Sequence, residues 1–372
     1  MEFEILKENL LDCLNIVLKS VSQKSSIQSL SNVLIKTEGS KVIFATTNLD
    51  VTNYASSPSQ ILTSGSASVN LKKVHEYIQN VKENSLTIKL DGNVLVITTK
   101  KSKAIFNTMK TQDFPKLSKI ENLEPICKVS AQSFFNAINS VSFCSGTDTF
   151  QKIALTGVFI EVNYDSIKVT ASNGVRLAHS EIKRNSDNTR SYVFLVPAQY
   201  ISDIAKIEVK DDSNIEFFFI ENKNIFAMRY GSYDFLLRQI DGAYPDYTRI
   251  IPSSNEEKIK VNKEELQSLL KLINVFKSEK NTSYINVTFS KKYLSMRSIE
   301  KEVGEATSNI DVEEFSGEES SRLYDSRSLL EVVSHIGGEF LTIYFNSKQD
   351  KLISMYGDET DTFFILSSVK PE

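Results

Sequence analysis

The three histidines of this 372-residue chain, His75, His179 and His335, could do acid-base chemistry near neutral pH, but they are scattered. His75 and His335 fall in predicted helices, where we interpret them as surface or hydrogen-bonded residues. No HExxH zinc motif, phosphate-binding P-loop or GxSxG nucleophile motif occurs. The sequence therefore predicts no catalytic residue, no metal site and no cofactor, and it favours a structural or binding role.

The cysteines indicate a reducing compartment. The chain has three cysteines, an odd number, and no two of them have CxxC spacing: Cys13, Cys127 and Cys144. Because Cys13 and Cys127 lie among apolar residues, we expect inert buried thiols in a reducing cytosol. No apolar run approaches the roughly 18 residues that a membrane-spanning helix needs, and the charged N-terminus is not that of a signal peptide. We therefore predict a cytoplasmic protein.

Two further patterns have simple structural interpretations. Ser172-Asn173-Gly174 has a single glycine at a strand end and is the nearest match to a phosphate loop, which we interpret as a turn. The acidic pairs Glu313-Glu314 and Glu318-Glu319 stand beside serine and glycine, and we interpret them as solvated loop.

The net charge of −4 excludes a histone-like DNA-binding protein, and the placement of the charges is more informative than their sum. A basic strand is predicted around Lys101 and Lys103 in the first third. An acidic strand is predicted in the last third, with Glu300, Glu302 and Glu305. Lysine-rich surface usually serves solubility, but edges of opposite charge are what head-to-tail pairing would use. A rotation that closes such pairing gives a ring.

The elements that carry these residues form a three-fold internal repeat. Apolar residues spaced by five, four and three positions begin at Ile5, Val129 and Val261, which lie 124 and then 132 residues apart. This spacing predicts a short strand followed by an amphipathic helix. Each copy continues into a hairpin of alternating apolar residues, with turns at 38–40, 164–166 and 291–292.

A second helix and further strands complete each repeat. The second helices are predicted over 69–81, 196–207 and 323–336, and each is followed by two strands of alternating apolar residues. The fold class is α+β, with three tandem copies of a unit that contains two βαβββ halves. Polar stretches at 121–125 and 252–257 predict domains over 1–123, 124–254 and 255–372.

Four motifs carry a resemblance to a known family. V-T-A-S-N-G-V-R-L-A at 169–178 is similar to a strand that ends in T-D-G-x-R-L-A. I-D-G-A-Y-P-D-Y-T-R-I-I-P at 240–252 is similar to D-G-x-[FY]-P-[DN]-Y-x-[RK]-[VI]-[LI]-P. D-F-P at 113–115 and L-V-P-A at 195–198 match two shorter motifs. In these motifs, and over its whole length, the chain resembles the bacterial sliding clamp, the beta subunit of DNA polymerase III.

The resemblance implies a non-catalytic processivity factor. Two subunits would form a head-to-tail homodimer, a closed ring with helices lining the bore and sheets outside, and would encircle double-stranded DNA without sequence specificity. The implied protein partners are the DNA polymerase III catalytic subunit, the clamp loader, and other replication and repair proteins that carry clamp-binding peptides.

Matching positions imply the DNA contacts. They are Lys24, Lys72, Lys73 and a loop that contains Thr149 and Lys152. The two aromatic residues that the family has in this loop are Ile153 and Ala154 here, and its basic pair after V-P is Ala198-Gln199, which lowers the charge of the bore.

The resemblance also implies a hydrophobic cleft for a short peptide that contains Gln and Leu or Phe. The matching residues are Leu155, Ser172, Gly174, Val175, Arg176, Leu177, Pro245, Arg249, Ile250, Phe364, Ile365, Leu366, Ser367 and Ser368. Apolar walls would bury the peptide's anchors, with Arg176 and Arg249 at the rim. The family usually ends the last strand in M-P-[ML]-R. Ser367-Ser368 stands here instead, so we expect a more polar floor.

The expected dimer interface pairs the first and last thirds. Lys101 and Lys103 would face Glu300, Glu302 and Glu305, and Val275 and Phe276 would pack against Phe106. Two alternatives stay open from the sequence. One is a monomeric repeat scaffold that binds proteins and encircles nothing. The other is an enzyme whose site is assembled between domains, which would need a polar cluster with perturbed pKa values.

Overall fold

The structure, a computed structural model, describes residues 1–21, 27–147, 152–184, 190–210, 213–252, 257–276, 284–300, 304–348, 352–358 and 361–369. The α-helices are α1 Lys7–Leu18, α2 Leu71–Asn80, α3 Ala131–Val141, α4 Ala198–Ile204, α5 Lys263–Ile273 and α6 Ser326–His335. No described helix is long and apolar enough to cross a membrane.

The strands follow the predicted repeat. The first third contains β1 Glu2–Leu6, β2 Asn32–Glu38, β3 Lys41–Thr47, β4 Val51–Pro58, β5 Gln60–Thr63, β6 Ser66–Asn70, β7 Ser85–Asp91, β8 Val94–Thr98 and β9 Lys103–Met109. The middle third contains β10 Cys127–Ser130, β11 Gly157–Val162, β12 Ser166–Ser172, β13 Arg176–Lys183, β14 Tyr192–Pro197, β15 Asn214–Ile220, β16 Ile225–Tyr230 and β17 Tyr233–Arg238. The last third contains β18 Glu257–Asn262, β19 Tyr284–Phe289, β20 Tyr293–Glu300, β21 Gly304–Asp311, β22 Glu314–Ser316, β23 Ser320–Asp325, β24 Phe340–Phe345, β25 Leu352–Gly357 and β26 Thr362–Ser367.

Each third has two βαβββ halves, as predicted, and β5 and β22 are additions. The second helices begin two to three residues later than predicted, because the first residues of those ranges belong to a preceding strand. Helix α2 begins after Asn70, whose side chain accepts a hydrogen bond from the Lys73 amide. Asp325 caps α6 in the same way, through the Ser328 amide.

Strand pairing joins different thirds of the sequence within two compact units. Unit 1 comprises Met1–Phe135 and Gln199–Gln239, and unit 2 comprises Asn136–Ala198 and Ile240–Glu372. A 13-stranded sheet lies in unit 1, where β17 pairs with β4. A 9-stranded and a 4-stranded sheet lie in unit 2, where β13 pairs with β26. The boundaries near 123 and 254 stay predictions, because these units divide the middle third between them.

The buried polar and thiol groups agree with their interpretation from sequence. Cys13, Cys127 and Cys144 are buried and free, and burial raises the pKa of the Cys13 and Cys144 thiols to about 12. In unit 1, His75 Nε2 lies 2.7 Å from Asn15 Oδ1 of α1, and burial lowers the pKa of His75. These thiols and this histidine are therefore structural.

Two predictions about charged strands are wrong in part. Lys101 lies in a tight turn, where its amide donates to Thr99 Oγ1, and β9 begins only at Lys103. The acidic strand is instead a hairpin: Glu300 ends β20, Glu305 lies in β21, and Glu302 lies outside the described residues. The tight turn at Lys101 has no apolar periodicity, so the sequence pattern did not reveal it.

The acidic pairs also differ from one another. Glu314 begins the edge strand β22, and its carboxylate lies 2.8 Å from Lys258 Nζ and 3.9 Å from Lys260 Nζ on β18. It was predicted as loop because a three-residue strand is too short to show alternation. Glu313, Glu318 and Glu319 are exposed and lie outside the strands, as predicted.

Candidate functional site

The site in unit 2 begins with the turn between β12 and β13. Ser172 Oγ accepts a hydrogen bond from the Gly174 amide and donates one to the Arg176 carbonyl, over 3.1 and 2.8 Å. Asn173 Oδ1 accepts from the amides of Val175 and Arg176, each at 3.0 Å. Gly174 has a φ of 88°, in the left-handed region that glycine tolerates best. The interpretation of this segment as a turn is confirmed.

A connector over 244–251 forms the opposite wall. The Tyr244 ring stacks on Phe159 of β11, with centroids 4.8 Å apart and planes 6° from parallel. The Tyr247 hydroxyl donates to Glu161 Oε2 over 2.6 Å, and burial raises the pKa of Tyr247. Asp246 Oδ1 accepts from the Thr248 amide and begins a short 3₁₀ helix. The connector is therefore fixed to the sheet by its side chains.

Between the turn and the connector lies a cavity of about 280 Å³. It is lined by Lys152, Leu155, Ser172, Gly174, Val175, Arg176, Leu177, Tyr244, Pro245, Asp246, Tyr247, Ile250, Leu352, Ile365 and Ser367. Seven of these fifteen residues are leucine, isoleucine, valine or proline, which suits an apolar anchor of a ligand. The structure thus brings together ten of the fourteen predicted cleft residues.

Four predicted cleft residues do not line the cavity. Phe364 and Leu366 are fully buried on the opposite face of β26, because side chains alternate along a strand and only Ile365 and Ser367 face the cavity. Ser368 follows the end of β26. The side chain of Arg249 is 82% exposed and pairs with Asp246 at 2.8 Å. The Thr248 hydrogen bond, aided by Arg249, lowers the pKa of Asp246.

Five lining residues were missing from the prediction. Tyr244, Asp246 and Tyr247 belong to the A-Y-P-D-Y stretch whose proline was predicted, so that motif already contained the signal. Leu352 faces the cavity because β25 pairs Leu352 with Ser367 of β26, and nothing in the sequence gives that register. Lys152 was predicted to touch DNA, and the structure places its exposed side chain at the margin of this cavity.

Arg176 was predicted at the rim of the cleft, but its side chain is nearly buried. Its side chain is only 11% exposed and pairs with Glu331 of α6. The guanidinium also donates to the Phe143 carbonyl over 2.7 Å and lies 5.3 Å from the centroid of the Phe143 ring. His335 stacks on the other side of this cluster, with its ring 3.7 Å from that of Phe143.

Two buried polar atoms of the lining residues have no hydrogen-bond partner within the described part of the chain. They are Arg176 Nε and the Tyr244 hydroxyl oxygen. A buried polar atom without a partner is uncommon in folded proteins. An extended peptide has the backbone carbonyl and amide groups that could pair with them. The cleft can therefore bury apolar anchors and also orient a main chain.

The predicted DNA contacts are only partly described. Lys24 and Thr149 lie outside the described residues. Lys72 and Lys73 are exposed in the first turn of α2, and Lys73 lies 3.5 Å from Glu76. Beside Lys152, Ile153 is 53% exposed.

The predicted interface residues fall into two groups. In unit 1, Lys101 and Lys103 are exposed, and Phe106 packs edge-on against Tyr77 with ring centroids 5.7 Å apart. In unit 2, Val275 is 70% exposed and Phe276 is half-buried. Glu305 pairs with Arg297 at 2.9 Å, while Glu302 and the side chain of Glu300 lie outside the described part. Ile105, 60% exposed on β9, was missed.

No group of three histidine, cysteine, aspartate or glutamate side chains suited to a metal ion occurs among the residues that the structure describes. Solved structures with the same fold include DNA sliding clamps. One from Bacillus subtilis has a TM-score of 0.93 at 20% identity. The DNA polymerase III subunit beta from Pseudomonas aeruginosa has a TM-score of 0.92 at 20% identity. Both comparisons cover 100% of each chain.

Sequence comparisons agree with the fold. Models of the DNA polymerase III beta subunit match its N-terminal domain at residues 1–118, its central domain at 128–246 and its C-terminal domain at 248–367. The beta sliding clamp of Streptococcus pneumoniae R6 is 23% identical over 98% of each chain. That of Bacillus subtilis 168 is 23% identical over 98% of this chain and 99% of its own.

The chain belongs to the DNA polymerase III beta subunit family. Proteins of this family are sliding clamps, non-catalytic processivity factors of DNA replication. The predicted fold class of three tandem clamp domains and the predicted function class are confirmed, and the enzyme alternative is set aside.

Proposed function

We propose that two copies of this chain form a head-to-tail homodimer that encircles duplex DNA in the bacterial cytoplasm. Its domains would be 1–123, 124–254 and 255–372. The ring would be closed by an apolar centre of Val275, Phe276 and Phe106, with Lys101 and Lys103 opposite Glu300, Glu302 and Glu305. Lys24, Lys72, Lys73, Thr149 and Lys152 would touch DNA phosphates. Family membership and the exposure of the described residues support this proposal.

We also propose that the cleft of unit 2 holds the clamp-binding peptides of the polymerase catalytic subunit, the clamp loader and other replication and repair proteins. The observation that carries this is the apolar cavity of about 280 Å³ with two unpartnered polar atoms in its lining. A peptide with Leu or Phe anchors fits its walls, and its main chain would pair with Arg176 Nε and the Tyr244 hydroxyl. A solved Pseudomonas aeruginosa clamp bound to griselimycin has the same fold, with a TM-score of 0.91.

The encirclement proposal is tested by the topology of the DNA. After loading by a clamp loader, the protein should stay on closed circular DNA at raised salt and leave the same DNA once it is linearised. Direct binding to short duplexes should be weak and should fall steeply with salt, because few phosphates are neutralised. Gel filtration of the protein with circular and with linearised plasmid measures its retention on the two DNA forms. Equal retention on the two DNA forms would contradict encirclement.

A further inference from the structure

Unit 1 contains a second cavity at the place where the internal repeat puts a counterpart of the cleft. Its volume is about 210 Å³. It lies between the β3–β4 turn, with Thr47 and Leu49, and the connector over 114–121, with Lys116 and Ser118. The Tyr54 hydroxyl donates to the Ser118 carbonyl over 2.7 Å and holds this connector on the sheet. Nothing in the proposed function assigns a role to this cavity.

The β3–β4 turn repeats the hydrogen bonds of the β12–β13 turn 125 residues earlier. Thr47 Oγ1 accepts from the Leu49 amide and donates to the Val51 carbonyl, over 3.0 and 2.9 Å. Asn48 Oδ1 accepts from the amides of Asp50 and Val51, over 3.1 and 2.8 Å. These are the bonds that Ser172 and Asn173 make in the cleft. The two cavities are therefore built on the same backbone motif.

Leu49 takes the place of Gly174 in this second turn. Its φ is 82°, in the left-handed region that is unfavourable for a residue with a side chain. Its side chain is 58% exposed, so burial of that side chain does not offset the cost. Backbone strain of this kind concentrates at functional sites. Here it places an apolar side chain at the mouth of the cavity.

The lining of the second cavity is mostly polar, but two apolar side chains of the sheet contribute to it. Ile225 on β16 and Leu236 on β17 line the cavity, as Leu352 on β25 and Ile365 on β26 line the cleft. Leu236 belongs to a buried cluster with Tyr54 and other residues of this sheet face. An apolar anchor that enters the cavity would therefore contact Ile225 and Leu236.

The charge of the second cavity distinguishes it from the cleft. Lys116, Lys223 and Arg238 line it together with a single carboxylate, that of Asp50. Among the described residues, none of these three cations has an ion-pair partner within 4.0 Å; Lys223 Nζ donates only to Ser118 Oγ, over 3.0 Å. By chain position, Lys116 corresponds to Asp246 of the cleft and Arg238 to Ser367. A ligand with negative charge would therefore be attracted.

We propose that this cavity is a second docking site, for an extended acidic peptide segment in which carboxylates alternate with apolar residues. Alternation suits an extended chain, whose successive side chains point to opposite sides. The cavity lies on the sheet face opposite α1, since Thr46 Oγ1 and Asn53 Nδ2 of the other face donate to the Val17 and Ile16 carbonyls. In the proposed ring the helices face DNA, so the choice of a protein ligand over duplex DNA rests on the proposed function.

The test is a fluorescence-anisotropy titration of the full chain with a labelled peptide of sequence ELDLE. The native protein should bind it, and the Lys116→Glu, Arg238→Glu double variant should bind about tenfold or more weakly. Lys82→Glu, at an exposed lysine of unit 1 outside the cavity, is the matched control and should bind like the native protein. Ile250→Asp puts a carboxylate in the apolar lining of the cleft and should prevent an apolar anchor from binding there. This variant should also leave ELDLE binding unchanged.

Several results would overturn the proposal. They are no saturable binding of ELDLE, equal affinity for the double variant, or loss of binding in Ile250→Asp, which would place the peptide in the cleft. Displacement of ELDLE by a short DNA duplex or by millimolar inorganic phosphate would make the cavity a phosphate site instead. A labelled peptide with Gln, Leu and Phe is titrated in parallel. If ELDLE binds and only the peptide with Gln, Leu and Phe fails to bind, the cleft proposal is contradicted and the proposal of a second site stands.

Discussion

Single residues decide how polar the cleft is. Ser367 lines the cavity and Ser368 does not, so only the first of the two serines that depart from the family pattern can act on a bound peptide directly. The Ser367 amide donates to the Val175 carbonyl over 2.9 Å, which ties β26 to the β12–β13 turn. A proline at this position would remove that bond, whereas a larger side chain would keep it.

Ser367→Val should therefore strengthen the binding of a peptide with a Leu anchor. Two added methyl groups against the anchor remove apolar area from water, and a gain of about 1 kcal/mol corresponds to about fivefold in affinity. Isothermal titration of a clamp-binding peptide against both proteins measures this change. Ser368→Val is the matched control and should bind like the native protein. If both valines have the same effect, the assignment of the floor to Ser367 is wrong.

The sequence predicted the cleft best where a motif carried its residues, as in the turn and the connector. Leu177 and Ser172 lie in one short motif and both face the cavity. Phe364 and Leu366 were included with Ile365 because the resemblance marked a whole strand, although alternation allows only every second residue to face a cavity. Leu352 could not be predicted, because it depends on the register of β25 against β26.

At the scale of elements, apolar periodicity predicted both helices and most strands of each third, and tight turns caused the errors. The run Lys100 to Lys103 looked like a strand, but Thr99 Oγ1 accepts from two amides there and closes a turn. Short edge strands such as β22 were also missed, since three residues are too few to show alternation. Local side-chain hydrogen bonds decide such turns, and period analysis does not detect them.

The β12–β13 hairpin also carries a pH-dependent element. His179 on β13 lies beside Tyr247 of the connector and Phe363 of β26, with ring centroids 5.4 and 5.0 Å apart, and its Nδ1 is 2.9 Å from Thr170 Oγ1. Burial lowers the pKa of His179 from 6.5 to about 4, with Glu181 and Lys168 acting in opposite directions. The unfolded chain therefore takes up this proton at a higher pH than the folded protein.

The free energy of unfolding should fall between pH 6.5 and 4, because the proton binds the unfolded state first. From pH 7 to pH 5 the loss that is due to His179 is about 2 kcal/mol. Urea unfolding at the two pH values should show a smaller loss in His179→Gln, with a remainder from His75, whose pKa burial also lowers. The exposed His335→Gln variant is the control. An unchanged loss in His179→Gln would show that this histidine is not the responsible group.

At the scale of the whole molecule, exposed apolar residues are candidates for the surface through which two copies of the chain would pair. Val275 is the most exposed of the large hydrophobic residues described, and Ser298 Oγ donates to the Phe276 carbonyl over 3.4 Å, which links this segment to β20. Contiguous exposed apolar patches usually mark interfaces, and Val275 with Phe276 would form the centre of the proposed one. In unit 1, Ile105 offers an apolar side chain on β9.

The Val275→Asp, Phe276→Ala double variant should be a folded monomer. Loss of two apolar contacts at an interface centre costs about 2–4 kcal/mol, or roughly 30- to 1,000-fold in the dimer dissociation constant. Light scattering gives the mass, and circular dichroism checks the fold. Val193→Asp changes an equally apolar residue, 55% exposed on β14, and should stay dimeric. A double variant that remains dimeric would exclude this face from the interface.

The pairing of β17 with β4 has a consequence for synthesis on the ribosome. Strand β4 ends at Pro58 and its partner begins at Tyr233, so roughly 180 residues must be made before β4 is covered. At about 5–20 residues per second, its free edge would stay open for about 10–40 s. During that time the nascent chain presents an unpaired strand to other nascent chains. A truncated product that ends near residue 123 should therefore aggregate, whereas the full chain can complete its sheet.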